Sequence, residues 1–249
     1  MQVSSTIKLT EKDRLAILIV DDHPLVRDAI KSHLEKQSDF KVVGDAADGE
    51  EAVKVAQELM PDVVIMDICL PGIDGLEATR RIKAANPDVC ILALSMYDNS
   101  DLVLRILDAG ASGYLTKSIF GEEISKAIRS IIAGESILPE KILHSVLKKA
   151  MKNPVKRSPG PEDSMLTPRE LDILRMAATG MSNKNIATAL NLSSRTVKGY
   201  CAEIFSKLHV NSRTGAVITA MRAGLFTIND ISPELNKYNE IYSNDERST

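Results

Sequence analysis

The first half of the chain alternates short apolar runs with segments of helical length, and this alternation restricts the fold more than any other feature of the sequence. The runs are nearly uninterrupted and cover residues 15–20, 42–46, 63–66, 89–94 and 113–116. An uninterrupted apolar run of this length is typical of a strand buried on both faces of a parallel sheet. Each run is followed by a helical segment, so the pattern predicts a five-stranded, doubly wound parallel sheet with helices on both faces.

The strand pattern ends well before the chain does. Residues 139–151 favour one further helix, and residues 153–164 contain three prolines and one glycine, which oppose regular structure. Four short helical patterns then follow one another without a strand. We therefore predict an α/β domain followed by an all-α domain, with these bounds: an α/β domain at 14–135, a linker with a helix at 136–165, a four-helix domain at 166–226 and a polar tail at 227–249.

The composition is that of an ordinary folded protein, with 44% apolar and 26% charged residues. No apolar run is long enough to cross a membrane, and the polar start of the chain lacks the apolar stretch of a signal peptide. We therefore expect a cytoplasmic protein with no membrane partner. The three cysteines are widely spaced and form no CxxC pair, so neither a disulfide nor a zinc site is predicted.

Charge is divided unequally along the chain. Residues 1–150 carry 18 Lys and Arg against 24 Asp and Glu, whereas residues 166–226 carry 8 against 3. A basic module behind an acidic one is expected where only the second module meets a polyanion such as DNA.

Polar residues follow four of the five predicted strands. Asp21 and Asp22 come after the first strand, Asp67 after the third, Ser95 after the fourth and Lys117 after the fifth. Because the carboxyl ends of parallel strands meet at one edge of a sheet, we expect these side chains to lie close together. Three neighbouring carboxylates repel one another unless a cation neutralises them, and a hard divalent ion such as Mg²⁺ (or Mn²⁺) meets that need.

This cluster has the chemistry of a phosphoryl acceptor. A carboxylate can attack phosphorus and form an aspartyl phosphate, and Asp67 suits that role because it stands alone after the middle strand. Asp21 and Asp22 suit metal binding, directly or through water. Lys117 would offset the charge of the phosphoryl oxygens, and the hydroxyl of Ser95 could hydrogen-bond one of them.

Two other interpretations concern the same segment. A dinucleotide-binding fold needs a glycine-rich turn after the first strand, but the sequence there is DDHPLV, which is acidic and has no glycine, so we exclude it. A metal-dependent phosphotransferase or phosphatase acting on small molecules stays open, and steady turnover of a phosphomonoester would identify it. We interpret His23, at a predicted helix start, as a capping or solvated residue instead of a ligand.

Four segments of the first domain resemble the receiver domain of two-component response regulators over about residues 14–135: LIVDDHPLVRDAI, VVIMDICLPGIDGLEATRRIK, ILALSMYD and AGASGYLTKS. The resemblance implies that Asp67 accepts a phosphoryl group from a histidine kinase or a small phosphodonor. It also implies a metal held by Asp21, Asp22, Asp67 and the backbone carbonyl of Cys69. Such a domain catalyses only its own phosphoryl transfer and dephosphorylation, so we expect no enzyme in the ordinary sense.

The resemblance also implies a conformational switch. Ser95 fills the position whose hydroxyl follows a new phosphoryl group, and Tyr114, three residues before Lys117, matches the aromatic residue that turns inward with it. Gly75 is expected to relieve crowding in the loop beyond Asp67.

The second domain begins with Thr167 and Glu170 in a capping-box pattern around a proline. Its third helical pattern places four apolar residues at helical spacing, which we expect to face the core: Val197, Cys201, Ile204 and Leu208. The opposite side of this helix and nearby positions supply the candidate DNA-binding residues: Lys184, Ser194, Arg195, Thr196, Lys198, Gly199, Tyr200, Ala202, Lys207 and Arg213. Small and basic residues of this kind let a helix enter the major groove. The pattern alone also fits a helical bundle that binds protein, so an adaptor role stays open.

The segment LTPRELDILRMAATGMSNKNIATALNLSSRTVKGYCAEIFSKLHVNSRTGAVITAMRAGLF resembles the LuxR-type helix-turn-helix over essentially its whole length. Together with the receiver-like half, the chain resembles the NarL/FixJ family of response regulators. The resemblance implies a recognition helix at 193–207, and a fourth helix near 212–223 that contributes to a homodimer on DNA. This chain has TVKGY where relatives commonly have TVKNH, and Glu203, which would repel a phosphate, where Asn is common. The target sequence therefore cannot be transferred from relatives.

Overall fold

The computed structural model describes residues 14–97, 99–119, 121–135, 137–138, 166–210 and 212–231. The helix predicted at 139–151 and the proline-rich segment at 153–164 lie outside these ranges, as does most of the predicted polar tail. Within the described ranges, no helix is long and apolar enough to span a membrane.

The first domain contains a five-stranded parallel sheet with the strand order β2-β1-β3-β4-β5. Its strands are β1 (Leu15–Val20), β2 (Phe40–Ala46), β3 (Val63–Asp67), β4 (Cys90–Ser95) and β5 (Gly113–Thr116). The helices between and after them are α1 (Pro24–Leu34), α2 (Gly49–Leu59), α3 (Gly75–Ala85), α4 (Ser100–Asp108) and α5 (Glu122–Ile132). The predicted α/β class is confirmed, and each strand lies close to its expected position.

The burial of the strands explains their composition. All five residues of the central strand β3 are buried, and Val64 pairs with Leu18 on one side and Ile91 on the other. A strand covered on both faces needs apolar residues at successive positions, which is why these runs are uninterrupted. The edge strand β2 is fully buried only at Phe40 and Ala46 and tolerates polar residues between them.

Capping side chains anchor the connections at the carboxyl edge of the sheet. Asp48, Asp74 and Asn99 each accept a hydrogen bond from a backbone amide in the first turn of α2, α3 and α4 respectively. Each cap satisfies a helix amide that would otherwise have no partner, and so determines where the connection ends and the helix begins.

The second domain contains helices joined by short turns, and no strand, in its described residues. It consists of α6 (Pro168–Ala178), α7 (Asn183–Leu190), α8 (Ser194–Leu208), α9 (Arg213–Arg222) and α10 (Ile228–Ile231). The predicted capping box is confirmed, because the amide of Glu170 donates to Oγ1 of Thr167 and the amide of Thr167 donates to the carboxylate of Glu170. The four apolar residues of α8 lie in the core as expected: Val197, Cys201, Ile204 and Leu208.

The helical domain continues beyond residue 226, where we predicted the start of a polar tail. Ile231, at the end of α10, is 8% exposed and belongs to the same apolar cluster as Phe226. The turn before α10 is held by Asp230, whose carboxylate accepts hydrogen bonds from the amide and the hydroxyl of Thr227. A short helix with one buried isoleucine gives too weak an apolar pattern to stand out in a polar sequence.

Candidate functional site

The carboxyl edge of the sheet carries the polar side chains that we expected there. Asp21 and Asp22 directly follow β1, Asp67 ends β3, Ser95 ends β4 and Lys117 directly follows β5. Nζ of Lys117 lies 2.7 Å from Oδ2 of Asp21 and 2.7 Å from Oδ2 of Asp67. Side chains from separate strand ends therefore share one ammonium group.

These charged groups lie inside the protein: the side chain of Asp21 is 1% exposed, that of Asp67 2% and that of Lys117 11%. Two carboxylates this close together repel each other, and the ammonium between them offsets that repulsion. Burial lowers the pKa of Lys117, but its hydrogen bonds to Asp21 and Asp67 outweigh burial and raise the pKa overall. Lys117 is therefore charged at neutral pH.

Both carboxylate oxygens of Asp67 are engaged. Oδ2 accepts a hydrogen bond from Nζ of Lys117, and Oδ1 accepts one of 3.1 Å from the backbone amide of Cys69. Burial raises the pKa of Asp67, and the bonds from Lys117 and Cys69 oppose this rise without cancelling it. The carboxylate is held in one orientation at the end of a buried strand.

Asp22 and His23 extend the cluster toward solvent. Nδ1 of His23 lies 2.5 Å from Oδ1 of Asp22, and the side chains are 69% and 34% exposed respectively. The backbone amide of His23 donates to Oδ1 of Asp21, and its side chain makes no capping hydrogen bond to α1. His23 is thus solvated, as we expected, but it contacts the acidic pair instead of capping the helix. The position of His23 directly after Asp21 and Asp22 in the sequence was the signal that could have predicted this contact.

The donor set of this edge fits a hard divalent cation. Asp21, Asp22 and Asp67 provide three carboxylates against the single ammonium of Lys117, which leaves an excess of negative charge that a divalent ion would balance. Possible ligand atoms of Asp21, Asp22 and His23 lie within 4.8 Å of one another. Asp67 lies outside that group, and Lys117 connects it to Asp21.

The backbone of Tyr97 connects the two residues expected to act as a switch. Ser95 is fully buried, and its hydroxyl accepts a hydrogen bond of 3.1 Å from the amide of Tyr97. Tyr114 is also fully buried, and its hydroxyl donates to the carbonyl of Tyr97. The amide of Lys117 donates to the carbonyl of Ser95 at 2.7 Å, so the loops after β4 and β5 are joined. Tyr114 points inward in this structure.

Gly75 lies where the chain passes closest to Asp67. A Cβ atom at Gly75 would lie 2.1 Å from the backbone oxygen of Asp67, which is far inside van der Waals contact. The amide of Gly75 donates to the carbonyl of Ile68. The expected crowding is confirmed, and only glycine fits there. Cys69, in the same loop, has an exposed side chain.

The structure leaves most of the candidate DNA-binding residues on the outside of the helical domain. Exposed positions are Lys184 on α7 and, on α8, Ser194, Arg195, Thr196, Lys198, Gly199 and Ala202; Tyr200 is half-buried. Ser193 caps α8 by accepting a hydrogen bond from the amide of Thr196, so the helix begins where the pattern placed it.

Two candidate cations have other roles. Nζ of Lys207 lies 2.7 and 2.8 Å from the carboxylate oxygens of Glu170, which is 1% exposed. Arg213 is 4% exposed, and its guanidinium donates to Oδ1 of Asn183 and to the carbonyl of Met181. These contacts hold α8 against α6 and α9 against the start of α7. The predicted capping box drew attention to Glu170 and so could have indicated its ion pair with Lys207. Nothing in the sequence indicated the contact between Arg213 and Asn183.

Comparison with known proteins agrees with this architecture. Residues 17–129 match the family model of the response regulator receiver domain, and residues 164–220 match that of the bacterial regulatory proteins of the luxR family. The response regulator protein VraR of Staphylococcus aureus (strain NCTC 8325 / PS 47) is 40% identical over 211 residues, which are 85% of this chain and 98% of VraR.

The chain is also similar to solved structures of response regulators. A LuxR-family two-component response regulator from Aurantimonas sp. SI85-9A1 is 38% identical, with a TM-score of 0.51 over 55% of this chain and 97% of that one. The RcsB response regulator of Salmonella typhimurium, studied for conformational dynamism in DNA interaction, is 26% identical, with a TM-score of 0.51 over 82% of this chain and 97% of that one.

The fold and the comparisons together define a two-component signalling protein that is not a conventional enzyme. The chain belongs to the NarL/FixJ-like response regulators, with a receiver domain followed by a DNA-binding LuxR-type helix-turn-helix domain. This assignment replaces the two alternatives left open above, a small-molecule phosphotransferase and a protein-binding adaptor.

Proposed function

We propose that Asp67 is the phosphoacceptor of this response regulator, and that its phosphorylation by a histidine kinase or a small phosphodonor controls DNA binding by the helical domain. The observation that carries the proposal is the ammonium of Lys117 placed 2.7 Å from both Asp21 and Asp67. It provides positive charge beside the one carboxylate of the cluster that ends the central strand.

In the proposed reaction, a carboxylate oxygen of Asp67 attacks the phosphorus of the donor. The new O–P bond forms as the bond to the leaving group breaks, and the leaving atom, a histidine nitrogen of the kinase or an acyl oxygen of a small donor, keeps the electron pair. The Lys117 ammonium stabilises the negative charge on the transferring phosphoryl oxygens. The amide of Cys69, 3.1 Å from Oδ1, keeps the carboxylate oriented for attack.

A divalent cation, Mg²⁺ or Mn²⁺, would be held by Asp21 and Asp22, with Asp67 and the backbone carbonyl of Cys69 as further ligands. When bound, it supplies charge neutralisation between the carboxylates and the incoming phosphoryl group.

Ser95 and Tyr114 would transmit the effect of Asp67 phosphorylation to the loop after β4. The Ser95 hydroxyl now accepts from the amide of Tyr97, and we expect it to donate to a phosphoryl oxygen once Asp67 is modified. This movement would disturb the loop whose carbonyl also accepts from Tyr114.

For the helical domain, we propose that the exposed face of α8 enters the major groove and that Lys184 contacts phosphate. Two chains would bind paired half-sites as a dimer, with α9 contributing to the contact between them. The relation to VraR and RcsB supports a regulatory role, and the exposure of Arg195 and Lys198 supports this choice of face.

The test of the phosphoacceptor is Asp67→Asn, incubated with acetyl phosphate and Mg²⁺ and followed by intact mass. The wild-type chain should gain one phosphoryl group and the variant none. Asp88→Asn is the matched control, since Asp88 is exposed and precedes β4 at the opposite edge of the sheet. Phosphorylation of Asp67→Asn at the wild-type rate would refute the assignment.

A further inference from the structure

The exposed face of α8 has a gap at its centre. Residues three or four positions apart lie on the same side of a helix, and Arg195, Gly199, Ala202 and Glu203 have this spacing and are all exposed. Gly199 and Ala202, in the middle of this face, have almost no side chain, so the helix is narrow there.

Nothing in the part of the chain that the structure describes explains the glycine at position 199. A Cβ atom there would meet nothing within 4 Å, so packing does not require glycine. The residue is not among the glycines with positive φ, so backbone geometry does not require it either. Glycine inside a helix is destabilising relative to alanine. A contact with another molecule that needs close approach to α8 would account for it.

The carboxylate of Glu203 stands beside this gap, one helical turn after Gly199. Its natural partner along the helix would be Lys207, four residues on. The ammonium of Lys207 instead binds both carboxylate oxygens of Glu170. Glu203 makes no ion pair with any residue in the described part of the chain. A negative group on a DNA-binding face is unfavourable near phosphates unless it accepts a hydrogen bond from a base.

We propose that Glu203 reads a cytosine in the major groove, and that the missing side chain at Gly199 lets α8 approach closely enough for this contact. The inference rests on the proposed binding of DNA through α8. A carboxylate can only accept hydrogen bonds, and the N4 amino group of cytosine is the donor that a C·G pair presents in the major groove. Glu203 is thus a specificity-determining residue, and Gly199 positions it.

The experiment selects duplexes from a random DNA pool with the full-length chain, with and without acetyl phosphate and Mg²⁺. The wild-type chain should enrich a motif in which one C·G pair is preferred, and replacing that pair should weaken binding roughly 5- to 150-fold, the discrimination that one good base contact supplies. Glu203→Gln should lose this preference while the rest of the motif is kept. Gly199→Ala should weaken the same preference.

If Glu203 affected DNA binding only through its negative charge, its removal would change the affinity for all sequences and leave the selected motif unchanged. Asp172→Asn removes an equal charge from α6, where Asp172 is half exposed, and should bind all sequences slightly more tightly with an unchanged motif. If Glu203→Gln behaves like Asp172→Asn, the base contact does not exist and the inference is overturned. If the wild-type chain enriches no motif under either condition, the proposed DNA recognition by α8 fails, and this inference falls with it.

Discussion

At the scale of single residues, the receiver site depends on one cation placed between two buried acids. The carboxylates of Asp21 and Asp67 would face each other without compensation if Lys117 were neutral or absent. An uncompensated charge in the interior destabilises a protein far more than an exposed charge does. Stability and the proposed phosphoryl transfer would therefore depend on the same side chain.

We expect Lys117→Met to lower the free energy of unfolding of the receiver domain by about 3 kcal/mol, because it removes one partner of a buried ion pair. Mg²⁺ should restore part of that loss, since a divalent ion can replace the missing positive charge. Urea unfolding with and without Mg²⁺ measures both effects. Lys126→Met is the control, because its pair with Glu123 is exposed on both sides and an exposed ion pair contributes little to stability.

Substitution by alanine should have opposite effects on stability at Gly75 and at Gly199. Gly75→Ala places a Cβ against the backbone oxygen of Asp67 and should destabilise the receiver domain by about 2 kcal/mol as an overpacked site. Phosphorylation of Asp67 should also slow, because the loop must move. Gly199→Ala meets open space and should stabilise α8 by about 1 kcal/mol. Hydrogen exchange of buried amides in β3 and α8 measures the stability change in each variant. If both variants were destabilised, or both were stabilised, the steric argument would be contradicted.

At the scale of elements, the contact between α6 and α8 depends on a buried glutamate. Glu170 belongs to the capping box at the start of α6 and also receives the ammonium of Lys207 from the end of α8. Burial raises the pKa of Glu170, but the hydrogen bonds from Lys207 and Thr167 outweigh it and lower the pKa overall. The charged carboxylate is therefore more stable in the folded domain than in the unfolded chain.

This shift gives the stability of the helical domain a defined pH dependence. Because the pKa of Glu170 is lower in the folded state, its stabilisation is complete above the pKa of the unfolded chain and is lost as the pH falls through the folded value. Glu170→Gln keeps an acceptor for the cap but has no charge to lose. The wild-type domain should be more stable than the variant by about 2 kcal/mol near neutral pH, and the difference should shrink below pH about 4.5.

Hydrogen exchange of α6 and α8 amides between pH about 2.5 and 7, corrected for intrinsic rates, measures that difference and reaches below the unfolded pKa of a glutamate. If the stability difference between the wild type and Glu170→Gln stayed constant over this pH range, Lys207 and Glu170 would not act as an ion pair. Asp172→Asn on the exposed side of α6 serves as the control and should show no such trend.

Sequence alone predicted the elements well because burial on two faces, caps and turns leave local signals. It also placed Asp21, Asp67 and Lys117 together, since the strand ends determine their positions. It could not decide which cations of the helical domain face outward. Lys207 and Arg213 look solvent-exposed on a helix, and only the tertiary partners Glu170 and Asn183 show otherwise. Ile231 was missed for the same reason, because its burial depends on packing against distant helices.

At the scale of the whole molecule, an acidic receiver domain precedes a basic helical domain, and we propose that phosphorylation of the first controls DNA binding by the second. Affinity for DNA should therefore depend strongly on salt, because each protein–phosphate contact releases counterions. Cations that contact phosphate contribute to that dependence, and cations bound inside the domain do not.

We expect Lys198→Ala to weaken binding to all DNA sequences and to reduce the slope of log affinity against log salt by about one. Lys207→Gln should leave the slope unchanged, since the Lys207 ammonium is bound to Glu170. Fluorescence anisotropy on a labelled duplex over a salt series, at a temperature where both variants are folded, measures the slopes. Equal slope changes for the two variants would show that Lys207 leaves Glu170 and reaches the DNA.

The shared ammonium of Lys117 also bears on how a signal would be erased. With a phosphoryl group on Asp67, this cation would serve the modified residue, while Asp21 remains beside it. Hydrolysis would then return Lys117 to its place between the carboxylates of Asp21 and Asp67. On this proposal, loss of the phosphoryl group would leave the two buried carboxylates with a shared counter-charge already in place.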